Sequence, residues 1–180
     1  MRLAGAALVL ALAGPALAAG VAEPPGYRLD DYRAPVPDTV AGGSVVHTAA
    51  LKAMFDRHAV ILIDVLPAPR RPENMKPSTP WMPEPRRDVP GSVWLPDVGR
   101  GAIAPALDFW FRNRLAALTG NDLNRPVVFY CLRDCWMSWN ATKRAAGYGY
   151  RHAIWYPDGT DGWQQAGLPL AEATPEQPPE

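Results

Sequence analysis

Cys131 and Cys135 are the only cysteines in a chain of 180 residues. They follow the apolar run VVFY at 127–130 and lead into Trp136 and a segment of helical pattern. A strand that turns directly into a helix presents backbone N–H groups and the positive end of a helix dipole, which favours an anion such as a thiolate. The amides from Leu132 to Trp136 are therefore expected to form an anion cradle, with Leu132, Asp134 and Trp136 as its framework. Arg133 would lower the pKa of a nearby thiol. Asp134 reads as the N-cap of the next helix, with its charge directed to that helix's free N–H groups. Together these features predict a depressed pKa for Cys131.

Three residues separate the cysteines, so the pair lacks the two-residue gap of thioredoxin-type motifs. A disulfide is still feasible, since residues four apart on a helical turn share a face with Cα atoms ~6 Å apart. Such a short loop removes little chain entropy, so a permanent staple would add little stability. Redox or sulfur chemistry is the preferred reading, with a structural staple and metal binding as alternatives. Copper accepts two thiolates with a Met such as Met137. However, His47, His58 and His152 are the only histidines, and no complete ligand set is visible. No resident metal is expected, and copper is disfavoured. Attachment of c-type haem needs a two-residue gap followed by His.

Trp136 and Trp139 lie one turn apart on the expected helix, either as core or as a flat wall for a planar ligand, with Asn140 on the same side. Lys143 and Arg144 read as a solvated face. Asp64 reads as structural, and Asp158 to Asp161 as the shaping of a turn.

The elements that position these groups are legible from periodicity. Residues 60–65 (VILIDV) form a continuous apolar run, which fits a strand buried on both faces of a parallel sheet. Thr48 is placed to cap a helix from Ala49 to about Arg57. Pro105 opens and Gly120 closes a helix carrying Leu107, Trp110, Phe111, Leu115 and Leu118 on one face. Another strand covers 152–156, and a short helix 161–165. Strands alternate with helices, which predicts a single α/β domain with a parallel sheet flanked by helices. That domain is expected over 44–170, with a proline-rich irregular insertion at 67–90. An extended, Pro-rich arm is expected over 20–43 and a polar tail over 171–180.

Residues 1–19 have the form of a cleaved secretory signal: Arg2, an apolar stretch, then Ala16, Leu17 and Ala18 as a small-x-small site. Export to the periplasm, an oxidising compartment, follows as an expectation. No later stretch is long and apolar enough to span a membrane. Without residues 1–19, Lys+Arg falls from 18 to 17 against 18 Asp+Glu, because Arg2 is the one charged residue removed. That balance argues against nucleic acid as a partner.

Five segments in order resemble a rhodanese-like domain: ILIDV at 61–65, VPGSVWLP at 89–96, PVVFYC at 126–131, GYGY at 147–150, and DGTDGW at 158–163 with GLP at 167–169. The stretch CLRDCWMSWNATKR at 131–144 resembles, more narrowly, the exported rhodanese-like family associated with pyrroloquinoline-quinone-dependent catabolism and named for its Cys–Cys–Trp motif. The resemblance implies sulfurtransferase-like or thiol–disulfide chemistry, with a persulfide or disulfide on Cys131. Cys131 would be the nucleophile, Cys135 the resolving thiol, and Arg133 with the loop amides the stabiliser of the anion. It also implies a periplasmic quinoprotein dehydrogenase or c-type cytochrome as partner. The alternatives are a non-catalytic assembly module and a copper or redox-cofactor carrier. The chain departs from ordinary rhodaneses in the cradle, where Asp134 and Trp136 stand in the places of a usual Gly and Arg.

Overall fold

A computed structural model describes residues 21–179. The leader expected at 1–19 lies outside these residues. In chain order the elements are β1 (Ser44–Val45), α1 (Thr48–Asp56), β2 (Ile61–Asp64), β3 (Arg86–Asp88), β4 (Val93–Trp94) and α2 (Pro105–Thr119). There follow β5 (Val127–Tyr130), α3 (Trp136–Gly147), β6 (Ala153–Trp155), α4 (Gly159–Gln165) and β7 (Ala171–Ala173). Five strands form an all-parallel sheet in the order β1-β6-β5-β2-β4. This is the single α/β domain that the alternation of strands and helices predicts.

Side chains alternate across the sheet, as strand geometry requires. Ile63, Val127, Phe129 and Ala153 face α2 and α3. Leu62, Val128, Tyr130 and Ile154 face α1 and α4, against Leu51 and Trp163. All four residues of β5 are buried because helices cover both faces. α2 begins with Pro105 at its first position and ends at Gly120 in the left-handed conformation, as the sequence indicates.

Four local expectations are corrected. First, Thr48 is not the cap of α1. The helix begins on Thr48, whose backbone N–H and hydroxyl are held by Asp158 at 2.9 and 2.8 Å. Second, the insertion is not wholly irregular. β3 pairs antiparallel with β7, which draws the start of the expected tail into a two-stranded sheet. Third, the tail continues along the body, where Glu176 accepts a forked ion pair from Arg114 at 2.6 Å and donates its N–H to Trp94 O. Fourth, Arg144 is not solvated: it is buried, and it donates to the carbonyls of Val98, Arg100 and Gly101.

The insertion is anchored next to the end of β2. Asp64 accepts from Leu66 N and from Arg86 Nε, both at 2.8 Å. Arg86 Nε also lies 2.9 Å from Asp88 Oδ1, in an ion-pair contact without hydrogen-bond alignment. Burial raises the Asp88 carboxyl to about 8, and the Asp64 charge adds to the effect.

Candidate active site

β5 lies between β2 and β6, so its last residue delivers Cys131 to the middle of the sheet's C-terminal edge. The chain then crosses to α3 in four residues. Asp134 makes the crossing possible by adopting φ 49°. Glycine takes this conformation without strain, and Asp is among the few other residues that tolerate it. Asp134 meets that backbone requirement here. Asp134 is exposed and does not cap α3. The N-cap is Cys135, in extended conformation, and its side chain closes no geometric cap bond.

Both cysteines are free thiols and almost wholly buried, Cys131 at 0% and Cys135 at 2% exposure. Their environments differ in the direction opposite to expectation. Burial pushes the Cys131 thiol well above its ordinary value, and its role as donor toward Cys135 adds to this. Cys135 is lowered to about 7. The hydrogen bond from Cys131 is the largest cause, and it outweighs desolvation with help from the Met137 backbone N–H and the Arg33 guanidinium. Ser138 joins the two residues. Its Oγ donates to Cys135 O at 2.9 Å and accepts from Trp155 Nε1 at 3.0 Å, and it lies 3.6 Å from Cys131 Sγ. Cys131 is thus the thiol of the pair that holds its proton more firmly, and Cys135 the one that ionises first.

Three of the five amides expected in the cradle are engaged elsewhere. Arg133 N donates to Asp161 Oδ2 at 2.7 Å, Asp134 N to Pro157 O at 2.9 Å and Trp136 N to Tyr32 O at 3.0 Å. The Arg133 side chain also points elsewhere, to Gln165 Oε1 at 2.7 Å. Leu132 packs against Gly159, which has φ 58° and where a Cβ would come within 2.4 Å of the Leu132 carbonyl carbon. That close approach fixes the loop against α4. The cation beside the thiolate is Arg33 of the arm, whose Nη1 also donates to Arg133 O at 2.9 Å.

Trp136 and Trp139 do not present an open wall. They meet edge to face at 5.1 Å and are sealed with Val40 and Trp155 in their own buried cluster. The arm closes over them. Trp136 Nε1 donates to Pro35 O and Trp139 Nε1 to Thr39 O. Asn140 holds both backbone groups of Arg28, and Lys143 donates to the carbonyls of Pro24, Pro25 and Gly26. Among the described residues, no three His, Cys, Asp or Glu side chains are placed to hold a metal ion. His47 pairs with Asp158 at 2.9 Å.

Sequence reasoning missed Arg33 and Ser138. Ser138 is three residues beyond Cys135 and seven beyond Cys131, a helical spacing that could have revealed it. Arg33 lies about 100 residues away in sequence, and no local pattern points to it.

The fold is similar to solved structures of sulfur-handling proteins. The polysulfide-sulfur transferase homodimer from Wolinella succinogenes aligns at 22% identity, covering 74% of this chain and 82% of that one, with a TM-score of 0.44. A human single-domain sulfurtransferase aligns at 20% identity, covering 67% and 95%, with a TM-score of 0.41. No protein of curated function matches the chain. Residues 47–166, spanning α1 through α4 and both cysteines, match the rhodanese-like domain, and the chain belongs to that family.

Proposed function

We propose that the protein moves sulfur through Cys131 and Cys135, as an exported accessory to quinoprotein alcohol oxidation. The carrying observation is the polarised pair: a thiol lowered to about 7 at the N-cap of α3 beside one raised by burial at the end of β5. Family membership supports sulfur handling. The export and quinoprotein parts rest on the resemblance of 1–19 to a secretory signal and of 131–144 to the Cys–Cys–Trp family.

The polarity assigns the roles in reverse of the family expectation. The Cys135 thiolate attacks the sulfane sulfur of an anionic donor R–S–S⁻. The donor's S–S bond breaks, RS⁻ leaves with the electron pair, and Cys135 carries a persulfide. An acceptor thiolate can then take the outer sulfur. Alternatively Cys131 attacks the Cys135 sulfur and expels hydrosulfide, which takes the Cys131 proton. The resulting Cys131–Cys135 disulfide is returned to two thiols by an external dithiol.

A second reading, a non-catalytic assembly module, is favoured by the burial of both thiols beneath the arm. In that reading the arm and the insertion grip a dehydrogenase or its cytochrome.

The test is the intact mass of the mature protein, taken from the periplasm without reductant and again after incubation with polysulfide. Cys131→Ser protein is expected to gain one sulfur atom, and Cys135→Ser protein none. Sulfur uptake by Cys135→Ser but not by Cys131→Ser would overturn the assigned polarity. A wild-type protein that takes up no sulfur and never closes its disulfide would leave the assembly module as the function.

A further inference from the structure

A cavity of about 520 Å3, separate from the thiols, is lined by Tyr27, Ile103, Asp108, Arg112, Arg144 and Tyr148. Arg144 is its unusual member. It is 4% exposed, and burial pulls its pKa down. Its guanidinium donates to Val98 O at 2.7 Å, Arg100 O at 2.9 Å and Gly101 O at 3.0 Å, but no carboxylate pairs with it among the described residues. Carbonyls satisfy its N–H groups, and Asp108 acts on its charge only from beyond ion-pair distance, an incomplete compensation for a cation away from water.

A second cation faces the same space. Arg112 stacks 3.9 Å from the centre of the Tyr148 ring and pairs with Asp108 at 3.0 Å. Among the described residues Asp108 is the only carboxylate lining the cavity, and the Tyr148 hydroxyl also binds it. Its charge is therefore shared among partners already in contact. α2 begins at the rim, where Ala104 supplies no side-chain cap and Pro105 no N–H. The first turn thus adds the partial positive charge of a helix N-terminus. Two guanidiniums and a helix start face one engaged carboxylate, while Ile103 and Pro105 supply apolar wall.

We propose that this cavity binds a small organic carboxylate, its anionic group on Arg112 in the field of Arg144 and its apolar body against Ile103 and Pro105. The guanidinium is the group suited to a forked contact with a carboxylate. Tyr27 of the arm lies 4.3 Å from the Arg144 guanidinium, so the site includes the root of the segment that covers the cysteines. The proposal does not depend on the sulfur-transfer reading.

Benzoate is the probe, compared with neutral benzamide and with inorganic phosphate, by calorimetry on the mature full chain. Saturable benzoate binding is expected, with benzamide weaker by roughly ten-fold or more, the worth of one charge-assisted contact. Arg144 is buried and its substitution threatens the fold, so two other variants carry the test. Arg112→Gln should weaken benzoate by roughly ten-fold with the melting temperature kept. Gly147 also lines the cavity, and Gly147→Leu should weaken benzoate by intruding on it, since a Cβ there meets nothing within 4 Å and the backbone is not left-handed. Cys135→Ser should bind benzoate as wild type does, which separates this site from the fate of the sulfur chemistry. Benzamide equal to benzoate, binding unchanged in both cavity variants, or no saturable binding would overturn the proposal. Phosphate equal to benzoate would reduce the site to an adventitious ion only.

Discussion

At the scale of single residues, the chemistry turns on which sulfur holds the charge. Cys131 is enclosed at the end of β5, its Sγ 3.6 Å from Ser138 Oγ, and each thiol shifts the other's titration. Cys131→Ala should therefore move the Cys135 titration upward from about 7, and by more than Arg33→Met does, because the Cys131 hydrogen bond is the larger cause. The ultraviolet absorbance of the thiolate, followed against pH, reads both variants. An unmoved titration in Cys131→Ala would mean that the pair is not coupled. Asp134 gives an independent prediction. A left-handed residue with a Cβ costs about 1–2 kcal/mol, and Asp recovers part of that through its short polar side chain. Asp134→Ala should thus be less stable than Asp134→Gly by about 1 kcal/mol in denaturant unfolding. Equal stability of the two would remove the backbone explanation for this position.

At the scale of elements, the arm and α3 form one unit. Tyr32, Pro35 and Thr39 accept from Trp136 and Trp139, and Asn140 clamps Arg28. With both thiols buried beneath this cover, a donor or acceptor reaches them only when the arm lifts. Deleting residues 20–35, which also removes Arg33, is expected to raise the alkylation rate of Cys135, corrected for its ionised fraction, by roughly ten-fold or more, as local opening ceases to limit access. Unchanged alkylation with the fold intact would show that access does not pass under the arm. What the sequence disclosed at this scale follows the physics of burial. β2 and β5 announce themselves as short apolar runs because helices cover both their faces, and α2 by its Pro and Gly ends. β3 and β7 do not, because Arg86, Arg87 and Asp88 pair with Ala173, Glu172 and Ala171 without an alternating apolar face. Arg144 reads as solvated in the sequence because a basic residue on a helix usually is, and here the carbonyls that bury it come from residues 98–101. The cysteines were legible as a pair at a strand-to-helix turn. Their polarity was not, since Arg33 belongs to another part of the chain and the loop amides turn to Asp161, Pro157 and Tyr32.

At the scale of the molecule, the small β3–β7 sheet is tied to the main sheet through a buried group of one arginine and two carboxylates, and this sets how stability depends on pH. Asp88 is desolvated beside Asp64, with both carboxylate oxygens lacking a hydrogen-bond partner among the described residues, so its carboxyl is raised to about 8. In the unfolded chain it titrates near the ordinary carboxylate value. Between those two values the folded protein holds a proton that the unfolded chain has released, so stability falls as pH rises. This contribution is complete below the ordinary carboxylate range and lost as pH passes about 8. Two other carboxyls act in the opposite sense. Asp158 and Asp108 are both lowered against their own desolvation, Asp158 by His47 and Thr48 and Asp108 by Tyr148 and Arg112. They contribute stability above the ordinary range that is lost in acid. Cys135, lowered to about 7, adds stability as pH rises from there toward the ordinary thiol value. The window from about pH 5 to about 7 therefore isolates Asp88. Across it, the urea midpoint of the wild-type protein should decline as pH rises. Asp88→Asn, which keeps the shape and cannot ionise, should flatten that decline while leaving the acid loss in place. A wild-type midpoint already flat across the window would mean that Asp88 is ionised in the folded protein, with Arg86 balancing both carboxylates.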